Sequence, residues 1–296
     1  MLDSCWHPVP NRHALEWWYF TLLSDDGEVI RGRLWVRGDP SRGLRCGVEV
    51  DGYPVGGAPW ELDLRHPEHA FHAARDRLLV MVEACSLEQR GEALHLALRH
   101  QDLVVRARGV PSIRWEDPTY RYPVGEGGFL WTVPMLRGRF EGLVRRAGRS
   151  RELAGQMFVD HVLMDAVPNP DFVWNYRAWW WGLVLAEDWT ALSLEVDFRR
   201  APLQVAFVAQ GDGPVQVRHG PDAPVRRLGE DPPRFVVERG GRADEVHPTW
   251  VARKRHRIPG STVRQRVLDA LPLFRKHHLL GTVPGGSFYA EQLRLR

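Results

Sequence analysis

The run Leu15-Glu16-Trp17-Trp18-Tyr19-Phe20 constrains the fold more than any other stretch of the chain. Each aromatic side chain of this kind buries about 150–250 Å². In an extended strand successive side chains point to opposite faces, so the segment needs cover on both sides. One carboxylate, Glu16, is enclosed in it, and is costly there unless paired, hydrogen-bonded or protonated. The segment is therefore a structural anchor or the seat of a working acid.

The rest of the chain reads mainly as strands and turns. Leu15–Leu23 and Glu28–Val36 flank the turn signal Ser24-Asp25-Asp26-Gly27, which predicts a hairpin. The Gly/Pro-rich stretch 37–59 reads as loop, broken by a short strand at Cys46–Val50. Leu78–Leu87, Ala93–Arg99 and Leu103–Ala107 alternate apolar with polar between short turns, the pattern of an antiparallel meander of the lipocalin type. Residues 109–128, with Pro111, Pro118 and Pro123, read as loop, and Arg/Gly-rich Leu143–Leu153 marks a boundary between units 1–148 and 149–296. Strands resume at Gln156–Leu163 and Trp179–Leu185, the second answered by Thr190–Phe198, and Trp250–Ile258 adds another. Residues 210–233 are again rich in Gly and Pro. One helix is expected: Ser261 caps a segment in which Val263, Val267, Leu268 and Leu271 share a face, Pro272 ends it, and Leu273–Leu280 comes after it as an apolar, basic flap.

Composition narrows the class. The chain has 296 residues, 44% of them hydrophobic, with thirteen Trp, enough for a large core and an apolar cavity. Its net charge of +3 comes from interspersed acids and bases, whereas a nucleic-acid binder concentrates basic charge in one patch. Cys5, Cys46 and Cys85 are odd in number and lack metal-type spacing, which points to a reducing compartment and no disulfide framework. No basic stretch followed by an apolar one opens the sequence, and the longest apolar run, Ala178–Ala186, is far shorter than the roughly 20 residues that span a bilayer. A cytoplasmic protein without an integral membrane segment is expected.

Four motifs occur in a recognisable order. Glu16-Trp17-Trp18-Tyr19 comes after a nearby His13, and Gly155-Gln-Met-Phe-Val-Asp160-His161 is next. Trp179-Trp180-Trp181-Gly182-Leu183 and Gly285-Gly286-Ser287-Phe288-Tyr289-Ala290-Glu291 complete the series. Together they resemble the carotenoid 1,2-hydratase/AttH-like family. The resemblance implies an all-β fold of two lipocalin-like antiparallel β-barrels in tandem, here with a short helix near the C-terminus. It also implies chemistry without a cofactor on an apolar, unsaturated isoprenoid or polyketide-like small molecule, because the family includes hydratases and [4+2] cyclases.

Asp160 is the first candidate acid. In a strand Phe158, Asp160 and Val162 share one face, and Met157, Val159 and His161 share the other. An aspartate beside Phe158 in an apolar barrel has its neutral, proton-donating form favoured by desolvation. The alternative is an Asp paired with an Arg at a seam between barrels. The hydratases of the family place their catalytic Asp in Tyr-x-Asp, after an upstream His-x-Trp. This chain has Phe158-Val159-Asp160 and Phe129-Leu130-Trp131, so Asp and Trp match while His and Tyr are both Phe. Loss of two proton-handling groups fits cyclisation or isomerisation better than alkene hydration, and a barrel that only binds an apolar ligand is the third reading.

Glu16 either holds an Arg or backbone donor, with His13 as a nearby partner, or serves as a second acid; His161 completes the catalytic candidates. Trp131, Trp18, Tyr19, Phe158, Phe129 and Trp180 are expected to line the substrate, with Tyr176 and Arg177 at the pocket mouth. No metal site is expected. His66, His69 and His72 do not share a strand face, and His277-His278 reads as solvated loop.

Overall fold

The computed structural model describes residues 4–124, 127–165, 176–186, 188–198, 203–230, 233–239, 241–247, 249–255, 274–283 and 286–295. Among these the chain is almost wholly β, with two single 3-10 turns, at Glu68–Ala70 and Gly220–Asp222. It divides into two compact units, residues 1–172 and 173–296. The expected helix at 261–271 lies outside the described residues.

The first unit carries eleven strands: β1 (Leu15–Ser24), β2 (Val29–Asp39), β3 (Gly43–Tyr53), β4 (Trp60–Pro67), β5 (Phe71–Ala73), β6 (Leu79–Val82), β7 (Cys85–Arg90), β8 (Ala93–His100), β9 (Leu103–Val124), β10 (Gly127–Arg146) and β11 (Arg149–Met164). They form one antiparallel sheet in the order β4-β3-β2-β1-β11-β10-β9-β8-β7-β6-β5. The two edge strands are joined through Glu68–Ala70, and β2 and β3 approach β6 and β7 across the interior, so the sheet curls into a nearly closed barrel. Trp18, Phe20, Leu22, Leu34, Val48, Val80, Leu96, Val105, Met157 and Val159 fill it as one buried cluster.

The hairpin β1–β2 stands where the turn signal puts it. The boundary expected at 148/149 instead falls inside this sheet. Arg146 and Arg149 are paired residues of the β10–β11 hairpin, and Ala147 and Gly148 turn it with φ of 50° and 74°. Two consecutive positive φ values are the mark of a tight primed turn, which matches strand twist. Arg and Gly here close a hairpin of one unit.

The loop expected at 109–128 is strand as well. β9 runs through 22 residues and β10 through 20. Register shifts interrupt their pairing between Trp131 and Val133 and again around Arg137 and Gly138, which faces Pro111. Residues 116–119, including Pro118, fall in the first of these shifts. Proline removes a ladder donor and is tolerated where a bulge has already broken the ladder.

The second unit contains β12 (Tyr176–Ala186), β13 (Trp189–Phe198), β14 (Leu203–Gln210), β15 (Gln216–His219), β16 (Val225–Glu230), β17 (Pro233–Arg239), β18 (Arg242–Val246), β19 (Thr249–Arg255), β20 (Phe274–Val283) and β21 (Gly286–Leu295). Seven strands pair in the order β15-β14-β13-β12-β21-β20-β19, and β16-β17-β18 form a small separate sheet. The segment read as a flap, Leu273–Leu280, is from Phe274 onward the strand β20, hydrogen-bonded on both sides. Trp180, Val184, Ala206, Val208, Phe235 and Phe288 belong to the core of this unit, with Trp180 edge-on to Phe235 at 4.8 Å.

Candidate functional site

The site is built on β11, flanked by β1 and β10. Antiparallel pairing places Trp18 opposite His161, Tyr19 opposite Asp160 and Trp17 opposite Val162. On the other side Thr132 stands opposite His161 and Trp131 opposite Val162. Alternation then sorts these residues into two faces. Glu16, Trp18, Thr132 and His161 share the face of the interior cluster; Trp17, Tyr19, Trp131, Phe158 and Asp160 share the opposite face. His161 therefore points into the interior of the curled sheet of the first unit and Asp160 away from it.

On the outward face Asp160 is 4% exposed and Phe158 and Trp131 are no more than 1% exposed. The indole Nε1 of Trp131 donates to Asp160 Oδ2 at 3.1 Å. Phe129 lies edge-on to Trp131 at 5.9 Å and to Trp17 at 6.4 Å, and Tyr19 edge-on to Phe158 at 6.4 Å. The Trp/Asp correspondence drawn from the sequence thus joins two residues that touch. Arginines share this face, but Arg31 forms an ion pair with Asp51, and Arg33 donates to Glu49 Oε2 from Nε at 3.1 Å and Nη2 at 2.9 Å. Arg31 also lies over the Tyr19 ring at 5.9 Å.

On the inward face Glu16, 3% exposed, has a backbone donor, one of the two roles expected of it. The amide N–H of His7 donates to both carboxylate oxygens, at 3.1 and 3.2 Å. His161 Nε2 lies 2.8 Å from Glu16 Oε1, and His7 Nδ1 3.4 Å from the same oxygen. Trp18 stacks on the His161 ring at 4.8 Å and 5° from parallel, and its Nε1 donates to the Ser4 carbonyl at 3.0 Å. His13, the partner expected for Glu16, instead accepts from Arg12 Nε at 2.9 Å. Burial, Arg12 and Arg37 together hold its imidazole below the ordinary range. The sequence reading missed His7 because the chain doubles back between it and β1. Its only signal was a second His upstream of the buried acid.

Trp180 packs in the core of the second unit, under the Arg227 guanidinium at 5.0 Å. Tyr176 and Arg177 lie on β12, and their side chains are outside the described residues. His278, read as solvated, is fully buried: its Nδ1 is 2.8 Å from Tyr289 Oη and 3.7 Å from Glu291 Oε2, its cross-strand partner. Nothing in local sequence announces that pairing, which only strand register creates.

The first unit is a curled antiparallel sheet whose Glu-Trp-Trp-Tyr strand pairs with its Asp-His strand, and the chain has an AttH-like all-β fold. Among solved structures the chain is similar to an AttH candidate from Nitrosomonas europaea, with a TM-score of 0.68 at 15% identity over 96% of this chain and 94% of that one. It is also similar to CghA in complex with Sch210972 (TM-score 0.60, 11% identity, 96% and 89% covered) and to kievitone hydratase from Nectria haematococca (0.57, 8%, 98% and 93%). At these identities the likeness is one of fold. No family model matches the sequence, and no curated protein does.

Proposed function

We propose that the protein is an enzyme that cyclises or isomerises an apolar, unsaturated small molecule of the isoprenoid or polyketide type without a cofactor, with Asp160 as its acid or hydrogen-bond donor. In this reading both units are lipocalin-like barrels. The observation that carries it is the Asp160–Trp131 pair: a carboxyl 4% exposed, oriented by an indole N–H at 3.1 Å, among Phe129, Phe158, Tyr19 and Trp17. Such a surface is largely apolar around one buried carboxyl, with Tyr19 and the ion-paired Arg31 and Arg33 as further polar side chains of the face. An intramolecular ring closure needs chiefly that: reacting carbons held in near-attack geometry, and one donor to polarise a carbonyl. Kievitone hydratase, with a similar fold, keeps hydration as the second reading. Against it, Phe129 and Phe158 stand where the hydratase pattern has His and Tyr, leaving fewer groups to activate water.

The test is metabolite profiling of a strain lacking this gene, complemented with the native chain or with Asp160→Asn. Asp160→Asn is expected to lower product at least ~100-fold, the range for losing a general acid, and to accumulate the same precursor as the deletion. Full complementation by Asp160→Asn would remove Asp160 from the chemistry and favour a protein that only binds an apolar ligand. A precursor and product differing by one water would establish hydration.

A further inference from the structure

We infer that His7, Glu16 and His161 form a binding site for a divalent transition-metal ion of the zinc class, which fastens the N-terminal segment to the barrel on the face of β11 opposite Asp160. Each residue offers one ligand atom, and the three atoms lie within 4.8 Å of one another. Among the described residues this is the one group of three or more His, Cys, Asp or Glu with that geometry. Two imidazole nitrogens and a carboxylate oxygen are an established donor set for zinc, at about 2.0–2.2 Å each. In a tetrahedral site two ligands of one ion are then about 3.3–3.6 Å apart. The His161–Glu16 and His7–Glu16 atom pairs, at 2.8 and 3.4 Å, lie near that spacing, and the half-buried His7 on its loop has to bring its ring nitrogen about 1 Å nearer His161.

Three further features point to an ion. The His161 ring is held by Trp18 stacked on one side and by His7 at 5.8 Å and 21°, so its nitrogen is aimed before any ligand arrives. The His7 amide fixes the Glu16 carboxylate independently of the His7 ring. A small cleft lined by His7 and Glu16 opens beside them, with about 10 Å³ of free volume, room for one water or ion and far too little for an organic substrate.

The second, independent observation is Thr132. It is fully buried, stands directly across from His161 on β10, and its hydroxyl has no hydrogen-bond partner among the described residues. Cross-strand side chains lie about 4.5–5.5 Å apart at Cβ, so that buried hydroxyl is a neighbour of the His161 side chain and calls for a polar partner on this face, which a water on the ion would supply. Arg37 lines the same cleft; its positive charge opposes that of the ion and selects a small anion as the remaining ligand.

The experiment uses the full chain stripped with a chelator and titrated with Zn²⁺ by calorimetry, and with Co²⁺ followed by its visible absorption. One equivalent is expected to bind and to raise the melting temperature. His7→Ala leaves the backbone donor to Glu16 in place and is expected to weaken binding more than tenfold and to abolish the thermal shift; His161→Gln gives the same loss in a second variant. Absence of Zn²⁺ uptake by the native chain would overturn the site. So would unchanged affinity in His7→Ala, which would place any bound metal at the surface histidines. Because Asp160 faces away, these readouts are independent of turnover.

Discussion

The indole of Trp18 lies parallel to the imidazole of His161, 4.8 Å away, while its N–H reaches the Ser4 carbonyl. One side chain thus ties together the N-terminal segment, the first strand and the last strand of the sheet. Trp18→Ala is expected to cost about 3–5 kcal/mol, at the upper end for core truncations, because cavity and lost hydrogen bond fall at one place. Urea unfolding followed by tryptophan fluorescence measures it; a loss under about 1 kcal/mol, well below that range, would show that the stack is incidental.

Trp131→Phe keeps most of the ring and removes the donor to Asp160. A buried carboxyl deprived of a hydrogen bond costs about 1–3 kcal/mol. Stability is expected to fall by that amount, and turnover with it, whereas Asp160→Asn combined with Trp131→Phe should be less than additive. Strict additivity in this double-mutant cycle would mean that the two residues act separately.

Two glycines of the sequence motifs should respond differently to alanine. A Cβ on Gly155 would meet the Leu23 carbonyl at 2.1 Å and Ser24 Cα at 2.6 Å, both backbone of the paired strand β1. Gly155→Ala must push the strands apart and is expected to cost at least ~1–3 kcal/mol. A Cβ on Gly182 would find the Phe288 ring at an ordinary 3.7 Å. Gly182→Ala is expected to be neutral or stabilising by up to ~1 kcal/mol, through the unfolded chain. Equal melting temperatures for the two variants would contradict this.

The three cysteines are free and buried. Burial pushes the Cys46 thiol up to about 11, with the Glu83 carboxylate adding to it, and burial raises Cys85 as well. Neither is expected to react with iodoacetamide at neutral pH until urea unfolds the chain, as mass spectrometry would show. The native thiols hold their protons more tightly than unfolded ones. The contribution of Cys46 is therefore complete below the ordinary thiol value of 9.0 and is lost as pH rises from there toward about 11, and that of Cys85 is likewise lost as pH rises above the ordinary value. Chemical denaturation across that range should show stability falling with pH, and Cys46→Ala should flatten the slope.

Much of the fold was legible in residue patterns that act locally. The β1–β2 turn, the β12–β13 hairpin and the alternating strands β8 and β11 are all set by turn chemistry and period-two alternation. Proline misled where a bulge excused it, at Pro111 and Pro118, and the Arg/Gly stretch misled because a hairpin turn and a linker use the same residues. Asp160 and Trp131 were legible as a pair through resemblance. Which face each residue of Asp160-His161 takes was not, since alternation fixes only that they differ. His7, Thr132 and the His278–Tyr289 contact are products of strand register and chain return, quantities that no short window contains.

The pairing of β1 with β11, in which Leu15 meets Met164, also sets the order in which the first unit is made. β1 to β4 and β5 to β11 are each runs of neighbouring hairpins that assemble from nearby residues. The seam between them joins strands from opposite ends of the unit, and contacts so distant in sequence close slowly. On the ribosome the Glu16 carboxylate and its aromatic neighbours emerge well before β11 and wait for the whole of that strand before they are covered on that side. Until then the unit keeps an uncovered aromatic strand edge, the one that carries its buried acid.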